Sequence, residues 1–228
     1  MSILAIPFRS TRLCSRASFD PYLLLSVACF IISRIIFFIA GVRFDALPIL
    51  IFWQFIDPML LETDLLESLV FLHIQPPLFN LFLSMVLKAS PHAFPLVFHA
   101  FYLLCGLAIT LSLYILIVRT GAPRPLGFAL TLAFTVSPSS ILYENWLFYT
   151  YPLCAMLLLL VLLFLKTLNR PSFVSAFYLF LCAAAVALTW SLFHLGWMVL
   201  LLAILILRVR VVTRKRICLL YTSPSPRD

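Results

Sequence analysis

Charged residues are scarce in this chain: Asp, Glu, Lys and Arg make up 11% of its 228 residues, whereas 64% of the residues are hydrophobic. A soluble domain usually has about a quarter of its residues charged, because its surface must face water. Several apolar runs approach the roughly 20 residues that a helix needs to cross a bilayer. The composition therefore excludes a soluble domain and predicts a multi-pass integral membrane protein of the all-α class.

Several catalytic and metal-binding motifs are also missing. The chain has no G-x-x-x-x-G-K-[ST], H-E-x-x-H or G-x-S-x-G sequence, and its six cysteines show no C-x-x-C or Cys/His metal spacing. P-loop, zincin, serine-hydrolase and metal-site interpretations therefore lack support. The net charge is +8, but most Lys and Arg residues lie at the ends of apolar runs or in the tails. This placement is typical of topology signals that face anionic lipid, so we predict no nucleic-acid partner.

The two ends of the chain differ from its middle. Residues 1–21 are basic, and the apolar run that follows is too long for a signal-peptide core, so we predict a cytoplasmic N-terminus and a retained first helix. The last stretch, CLLYTSPSPRD at 218–228, resembles one reading frame of a transposase-type sequencing adapter. We therefore draw no function from 218–228 and expect the native protein to continue beyond Ile217.

Residues 22–217 form the predicted transmembrane domain, with about six to seven spans. The predicted apolar helices cover 22–41, 76–89, 94–118, 127–141 with a break at SPSS, 152–165, 173–192 and 195–207. The basic residues that follow some of these helices are expected on the cytoplasmic side. All of them lie on that side if 76–89 enters the membrane and returns, whereas a full crossing would expose one basic loop on the other side. Both arrangements remain open.

The loop 42–75 is predicted to be non-cytoplasmic, because it holds five of the eight acids and a single basic residue, Arg43. Within it, 59–72 has apolar residues at helical spacing with acids between them. This pattern predicts one amphipathic helix that lies at the membrane interface. Pro58 suits the first turn of that helix and Asp57 suits its N-cap.

Polar residues gather on the predicted outer side of the membrane. They are Arg43 and Asp45 in RFDA, Asp57 in FIDP, His73 and Gln75 in HIQPP, and Tyr143, Glu144 and Asn145 in YEN. The proline pair stiffens the start of the next helix and holds the His and Gln at a fixed depth. Each residue also has a purely structural interpretation, such as an N-cap for Asp57, the headgroup layer for His73 or a solvated loop for Glu144. Their shared side predicts a polar cluster over an apolar bundle.

Arg34 lies deep in the first predicted helix, where a charge is costly and often functional. Two interpretations are equally open for this residue. It binds a substrate, or it has a structural role in which it pairs with a later polar residue or extends its charge toward the interface.

The order of these features resembles a known family. A first helix, an acid-bearing loop with an interfacial helix, and an H-x-Q-P-P-L start of the next helix are similar to membrane glycosyltransferases of the GT-C fold. The family-39-like bacterial members and the protein O-mannosyltransferase relatives are the most similar by pattern, and RFDA resembles the Arg-Trp-Asp-Ala stretch of some mannosyltransferases. The resemblance covers roughly 22–192. The paired acids common in the first loop of that family are absent, so either Asp45 or Asp57 is left as the catalytic acid.

The resemblance implies a hexosyltransferase that takes a sugar from a polyprenyl-phosphate carrier and passes it to a glycan, lipid or protein acceptor at the outer face. No cofactor is implied, and the role of a divalent metal stays open. A carboxylate would act as base on the acceptor hydroxyl, with Asp45 as the first candidate and Asp57 as the second. The candidate substrate-binding residues are Arg34, Arg43, His73, Gln75, Tyr143 and Glu144.

Two other classes of protein compete with the glycosyltransferase. A transporter or flippase for a lipid-linked or hydrophobic substrate would explain the helices, Arg34 and the short segment 76–89. It would leave the concentration of acids in one loop unexplained, and the chain shows no internal inverted repeat. A purely structural membrane subunit predicts that Asp45, Asp57 and His73 can all be replaced without loss of function.

Overall fold

The computed structural model describes residues 20–52, 55–71, 77–190 and 196–207. The predictions for the N-terminal tail, for His73 and Gln75, and for the adapter-like tail lie outside the described residues. Within the described residues the fold is all-helical and has no strands, as predicted.

Eleven helices are present in the described part of the chain. They are α1 (Pro21–Ile39), α2 (Pro48–Ile51), α3 (Pro58–Thr63), α4 (Leu65–Phe71), α5 (Pro77–Ala89), α6 (Phe94–Arg119), α7 (Arg124–Thr135), α8 (Pro138–Glu144), α9 (Thr150–Asn169), α10 (Phe173–Thr189) and α11 (Gly196–Leu207). Proline lies in the first turn of many of them, where its missing N–H costs no helical hydrogen bond. Asp20, Asp57, Ser137 and Ser172 cap helices with their side chains.

Three helices, α1, α6 and α9, are long and apolar enough to cross a membrane. Helices α7 and α8 together form a fourth candidate span that is bent by 58°. The bend confirms the predicted break at SPSS, where Ser137 caps α8 and Pro138 begins it. Helices α5, α10 and α11 are apolar but shorter. The described residues thus hold three to four candidate spans, and the larger count of six to seven stays a prediction.

The bundle has two chemically different ends. At one end Asp20, before α1, accepts a hydrogen bond of 2.9 Å from the Tyr114 hydroxyl and lies 3.5 Å from Arg124. We call this the basic end, because four basic residues lie at the helix termini there: Arg119 and Lys166 in last turns, Arg124 at the start of α7 and Arg170 after α9. At the other end the rings of Tyr102 in α6 and Tyr151 in α9 stack at 6.2 Å, and Tyr149 packs near Trp190 after α10. We call this the aromatic end.

The acidic loop lies at the aromatic end but does not form the single helix predicted over 59–72. Two short helices, α3 and α4, are separated at Asp64, whose φ of −123° and ψ of 44° interrupt the helix. The prediction of one continuous interfacial helix was therefore wrong. Packing against α5 accompanies the break, since Leu61 of α3 is fully buried and its carbonyl accepts a hydrogen bond of 2.7 Å from the Ser84 hydroxyl.

Helix α5 stays close to the aromatic end. Phe79 lies 6.0 Å from the Tyr149 ring, and Phe82 lies 4.4 Å from Phe101 and 5.6 Å from Phe98. The helix has 13 residues and a length of about 20 Å, and it runs beside the first turns of α6. Residues 90–93 join its C-terminal end directly to the first residue of α6. Whether this segment crosses the membrane or enters and returns stays a prediction.

Candidate functional site

A buried ion pair joins α1 to the end of α8. Arg34 Nε donates to Glu144 Oε1 at 2.7 Å, and Nη2 donates to Oε2 at 2.7 Å. The Glu144 side chain is fully buried and that of Arg34 is 11% exposed. A two-pronged pair of this kind gives each charge a strong partner, which a charge away from water requires. Of the two interpretations of Arg34, the pairing with a later polar residue is therefore present in the structure.

Further hydrogen bonds hold the pair in place. Arg34 Nη1 donates to the Ser33 hydroxyl at 2.9 Å and to the Thr135 carbonyl at 2.9 Å. Thr135 is the last residue of α7, so the break before α8 frees this carbonyl from helical bonding. The Tyr151 hydroxyl donates to Glu144 Oε2 at 2.8 Å. Four of the five N–H donors of Arg34 are thus used, and both oxygens of Glu144 accept hydrogen bonds.

Gly106 in α6 makes room for the pair. A Cβ atom at this position would lie 2.2 Å from Glu144 Oε2, 2.9 Å from the Tyr151 hydroxyl and 3.0 Å from the Phe30 ring. Such distances are shorter than van der Waals contact, so the α6 backbone approaches the carboxylate as only glycine allows.

The segments RFDA and YENW meet through their backbones. The Asp45 N–H donates to the Asn145 carbonyl at 2.7 Å, and the Leu147 N–H donates to the Asp45 carbonyl at 3.0 Å. The Asp45 side chain is exposed, and its Oδ1 accepts a hydrogen bond of 2.9 Å from the Leu47 N–H ahead of α2. The two segments that the sequence placed on one side of the membrane are therefore neighbours in the fold.

A cavity of about 230 Å³ opens between α1, α6 and α8, beside this junction. Its polar lining comes from Arg34, His99, Glu144 and Asn145, and the rest of its wall is apolar. His99 lies in the second turn of α6, where its ring stacks on Phe44 at 5.4 Å. We call this space the α1–α6–α8 cavity.

The sequence did not point to His99. It lies in an apolar run, and no neighbouring residue forms a recognisable motif with it. The sequence feature that could have drawn attention to His99 is that a histidine inside a candidate span is unusual.

Tyr102 holds the loop before α9 in position. Its hydroxyl donates to the Phe148 carbonyl at 2.6 Å and accepts from the Phe148 N–H at 2.8 Å. The neighbouring Tyr149 is buried, and burial raises the pKa of its hydroxyl. The loop that carries Asn145 is therefore fixed at both ends, by the α8 C-terminus and by Tyr102.

The remaining candidate residues lie outside the cavity lining. Asp57 is exposed and its Oδ1 accepts a hydrogen bond of 2.8 Å from the Met59 N–H, which confirms its role as the N-cap of α3. Arg43 is exposed, with its guanidinium 3.9 Å above the Phe38 ring and with hydrogen bonds to the Phe38 and Val42 carbonyls. Tyr143 is exposed as well, and its ring lies 6.2 Å from that of Trp146.

The described residues contain no group of three or more His, Cys, Asp or Glu side chains that could hold a metal ion. Comparison of the chain with protein-family models, with curated proteins and with solved structures finds no match.

Proposed function

We propose that this chain forms the membrane part of a GT-C-type glycosyltransferase, with six to seven spans in all, which moves a sugar from a polyprenyl-phosphate donor to an acceptor at the outer face. One observation carries the proposal: backbone hydrogen bonds hold Asp45, whose carboxylate is exposed, next to Asn145, and Asn145 lines a cavity in which four polar side chains interrupt an apolar wall. Active sites for lipid-linked substrates need this combination, because the lipid stays in the bilayer while the sugar reacts at its surface.

Asp45 is the proposed general base. Its Oδ1 is bonded to the Leu47 N–H, whereas its Oδ2 carries no hydrogen bond within the described residues. An exposed carboxylate with a free oxygen can accept the proton of an acceptor hydroxyl as that hydroxyl attacks the sugar. Asp57 is the second candidate, but its carboxylate already caps α3.

Arg43 is the proposed partner of the donor phosphate. In the described part of the chain no carboxylate lies within 4.0 Å of its guanidinium, so no described side chain compensates its charge. A cation at this place can stabilise the negative charge that develops on the leaving phosphate. The charge of Arg34, by contrast, is compensated by Glu144.

Sugar transfer from a polyprenyl-phosphate donor, measured in reconstituted membranes with the gene product that contains this chain, tests the proposal. Asp45→Asn should lower the rate by about 10²–10⁴-fold, which is the usual contribution of a general base. Donor binding should persist, because the phosphate does not need that carboxylate. Asp64→Asn is the matched control, since Asp64 is an exposed acid of the same loop, and it should leave the rate unchanged.

The transfer rates of the Asp45 and Asp57 variants distinguish the two candidate bases, and they distinguish a glycosyltransferase from a transporter. Loss of activity in Asp57→Asn with a wild-type rate in Asp45→Asn would make Asp57 the base, because Asn caps a helix as well as Asp does. Wild-type rates from both variants would favour a transporter or flippase. The 58° bend between α7 and α8 is the observation that fits that alternative, since transporters often have broken helices at their substrate site.

A further inference from the structure

The α1–α6–α8 cavity carries no net charge of its own. Arg34 and Glu144 are the charged residues among those that line it, and they neutralise each other in a two-pronged pair. A phosphate in the cavity would therefore gain little attraction from Arg34 and would face the Glu144 carboxylate. The electrostatics of the cavity favour a neutral ligand over an anion.

Directional hydrogen-bonding groups nevertheless remain available in the cavity. The imidazole of His99 makes no hydrogen bond within the described residues, and its ring stacks on that of Phe44. The amide nitrogen of Asn145 donates to the Ile141 carbonyl at 3.0 Å, and its Oδ1 accepts no hydrogen bond from any residue that the structure describes. A neutral imidazole offers one donor and one acceptor, so the pair of side chains matches hydroxyl groups, which both donate and accept.

The cavity is also accessible to an amphiphile. The apolar wall includes Ile35 and Phe38, which are both about half exposed, at 54%, on the outer face of α1. A volume of about 230 Å³ is below the roughly 300–1,000 Å³ of sites for drug-sized ligands, so it suits one small ring. An acyl or prenyl chain can lie along the exposed face of α1 while its headgroup occupies the cavity.

We propose that this cavity binds the neutral, hydroxyl-bearing ring of a sugar-headed lipid, with His99 as the side chain that hydrogen-bonds its hydroxyls. The inference rests on the proposed function and deepens it: the sugar ring and the phosphate occupy different places, with the ring in the cavity and the phosphate near Arg43. His99 is then a specificity-determining residue for the sugar.

Direct binding of an uncharged, sugar-headed detergent tests the proposed site without any turnover. The probe is radiolabelled dodecyl glucoside, with unlabelled dodecyl glucoside and dodecyl phosphate as competitors, applied to the protein in nanodiscs of zwitterionic lipid. We expect dodecyl glucoside to compete at lower concentration than dodecyl phosphate. His99→Leu should weaken glucoside binding about five- to tenfold, as expected for the loss of one hydrogen bond, while His99→Gln should restore part of it.

His92→Leu is the matched control, because His92 is an exposed histidine in the turn before α6 at the same end of the bundle. It should bind the glucoside as the wild type does. Tighter competition by dodecyl phosphate, or equal glucoside binding by wild type and a folded His99→Leu variant, would overturn the inference. Glucoside binding is measured without turnover, whereas the catalytic role of Asp45 is measured by sugar transfer, so a failure of the proposed function is visible separately from a failure of this site.

Discussion

At the scale of single residues, Glu144 depends on one partner. Its carboxylate is fully buried, and the charge that compensates it belongs to Arg34 on another helix. Removal of one member of a buried ion pair typically costs about 3–5 kcal/mol, because the other charge stays buried without a partner. Replacement of both members by uncharged groups is often neutral or stabilising.

We therefore expect Arg34→Met to lower the melting temperature of the purified protein clearly, and Arg34→Met/Glu144→Gln to recover most of the loss. The Gln can still accept the hydrogen bond from the Tyr151 hydroxyl. Thermal unfolding followed by size-exclusion fluorescence measures both variants. A double variant as unstable as the single one would show that the unpaired charge is not the cause.

Gly106→Ala is expected to destabilise the protein. In an unobstructed helix the same change stabilises by up to about 1 kcal/mol, because glycine loses more backbone entropy on folding. Here the new methyl group would lie 2.2 Å from Glu144 Oε2, so the ion pair must shift. The substitution therefore lowers the stability of the protein, although it would raise that of an unobstructed helix. Leu104→Ala, at an exposed position of the same helix, is the control. Thermal unfolding again provides the readout, and an unchanged or raised melting temperature for Gly106→Ala would contradict the close approach.

At the scale of elements, α5 shows how packing decides what an apolar run does. Its sequence alone allowed either a crossing or a return. Phe79 and Phe82, in its first half, contact the loop before α9 and the first turns of α6. Its last residue, Ala89, is joined to the start of α6 by only four residues, so both ends of α5 lie near the aromatic end.

Cysteine labelling tests the placement of α5. In a chain whose native cysteines are replaced by alanine, Thr63→Cys before α5 and His92→Cys after it should react with a membrane-impermeant maleimide from the same side. Both positions are exposed in the structure. If the two cysteines react from opposite sides, α5 crosses the membrane and the packing described above does not hold in the bilayer.

At the scale of the whole molecule, a cluster of positive charges marks one end of the bundle. Arg119, Arg124, Lys166 and Arg170 gather at one end, while Asp45 and Asp57 lie at the other. Positively charged loops remain on the cytoplasmic side during membrane insertion. We therefore expect the basic end to be cytoplasmic and the cavity to face the other side.

The same labelling in intact cells checks the orientation. Thr120→Cys and Asn169→Cys, both exposed at the basic end, should react only after the membrane is permeabilised. His92→Cys should react in intact cells. The reverse pattern would invert the molecule and would remove the outer-face acceptor from the proposed function.

Local patterns were enough for several elements. Apolar runs predicted α1, α6 and α9 within a few residues of their ends, because a helix in lipid must satisfy its own backbone and shield it with apolar side chains. The Asp-Pro pair predicted the N-cap at Asp57, and Ser-Pro predicted the break between α7 and α8. These signals act over a few residues, so they can be read along the chain.

Only the tertiary structure decided which distant residues meet. Arg34 could be singled out as a buried charge, but its partner lies 110 residues away and, taken singly, is more readily interpreted from sequence as a solvated loop acid. The break of the acidic helix at Asp64, the place of α5 and the presence of His99 in the cavity also depend on packing between helices. Sequence periodicity shows which face of a helix is apolar, but the pairing of faces is set by the energy of the whole bundle.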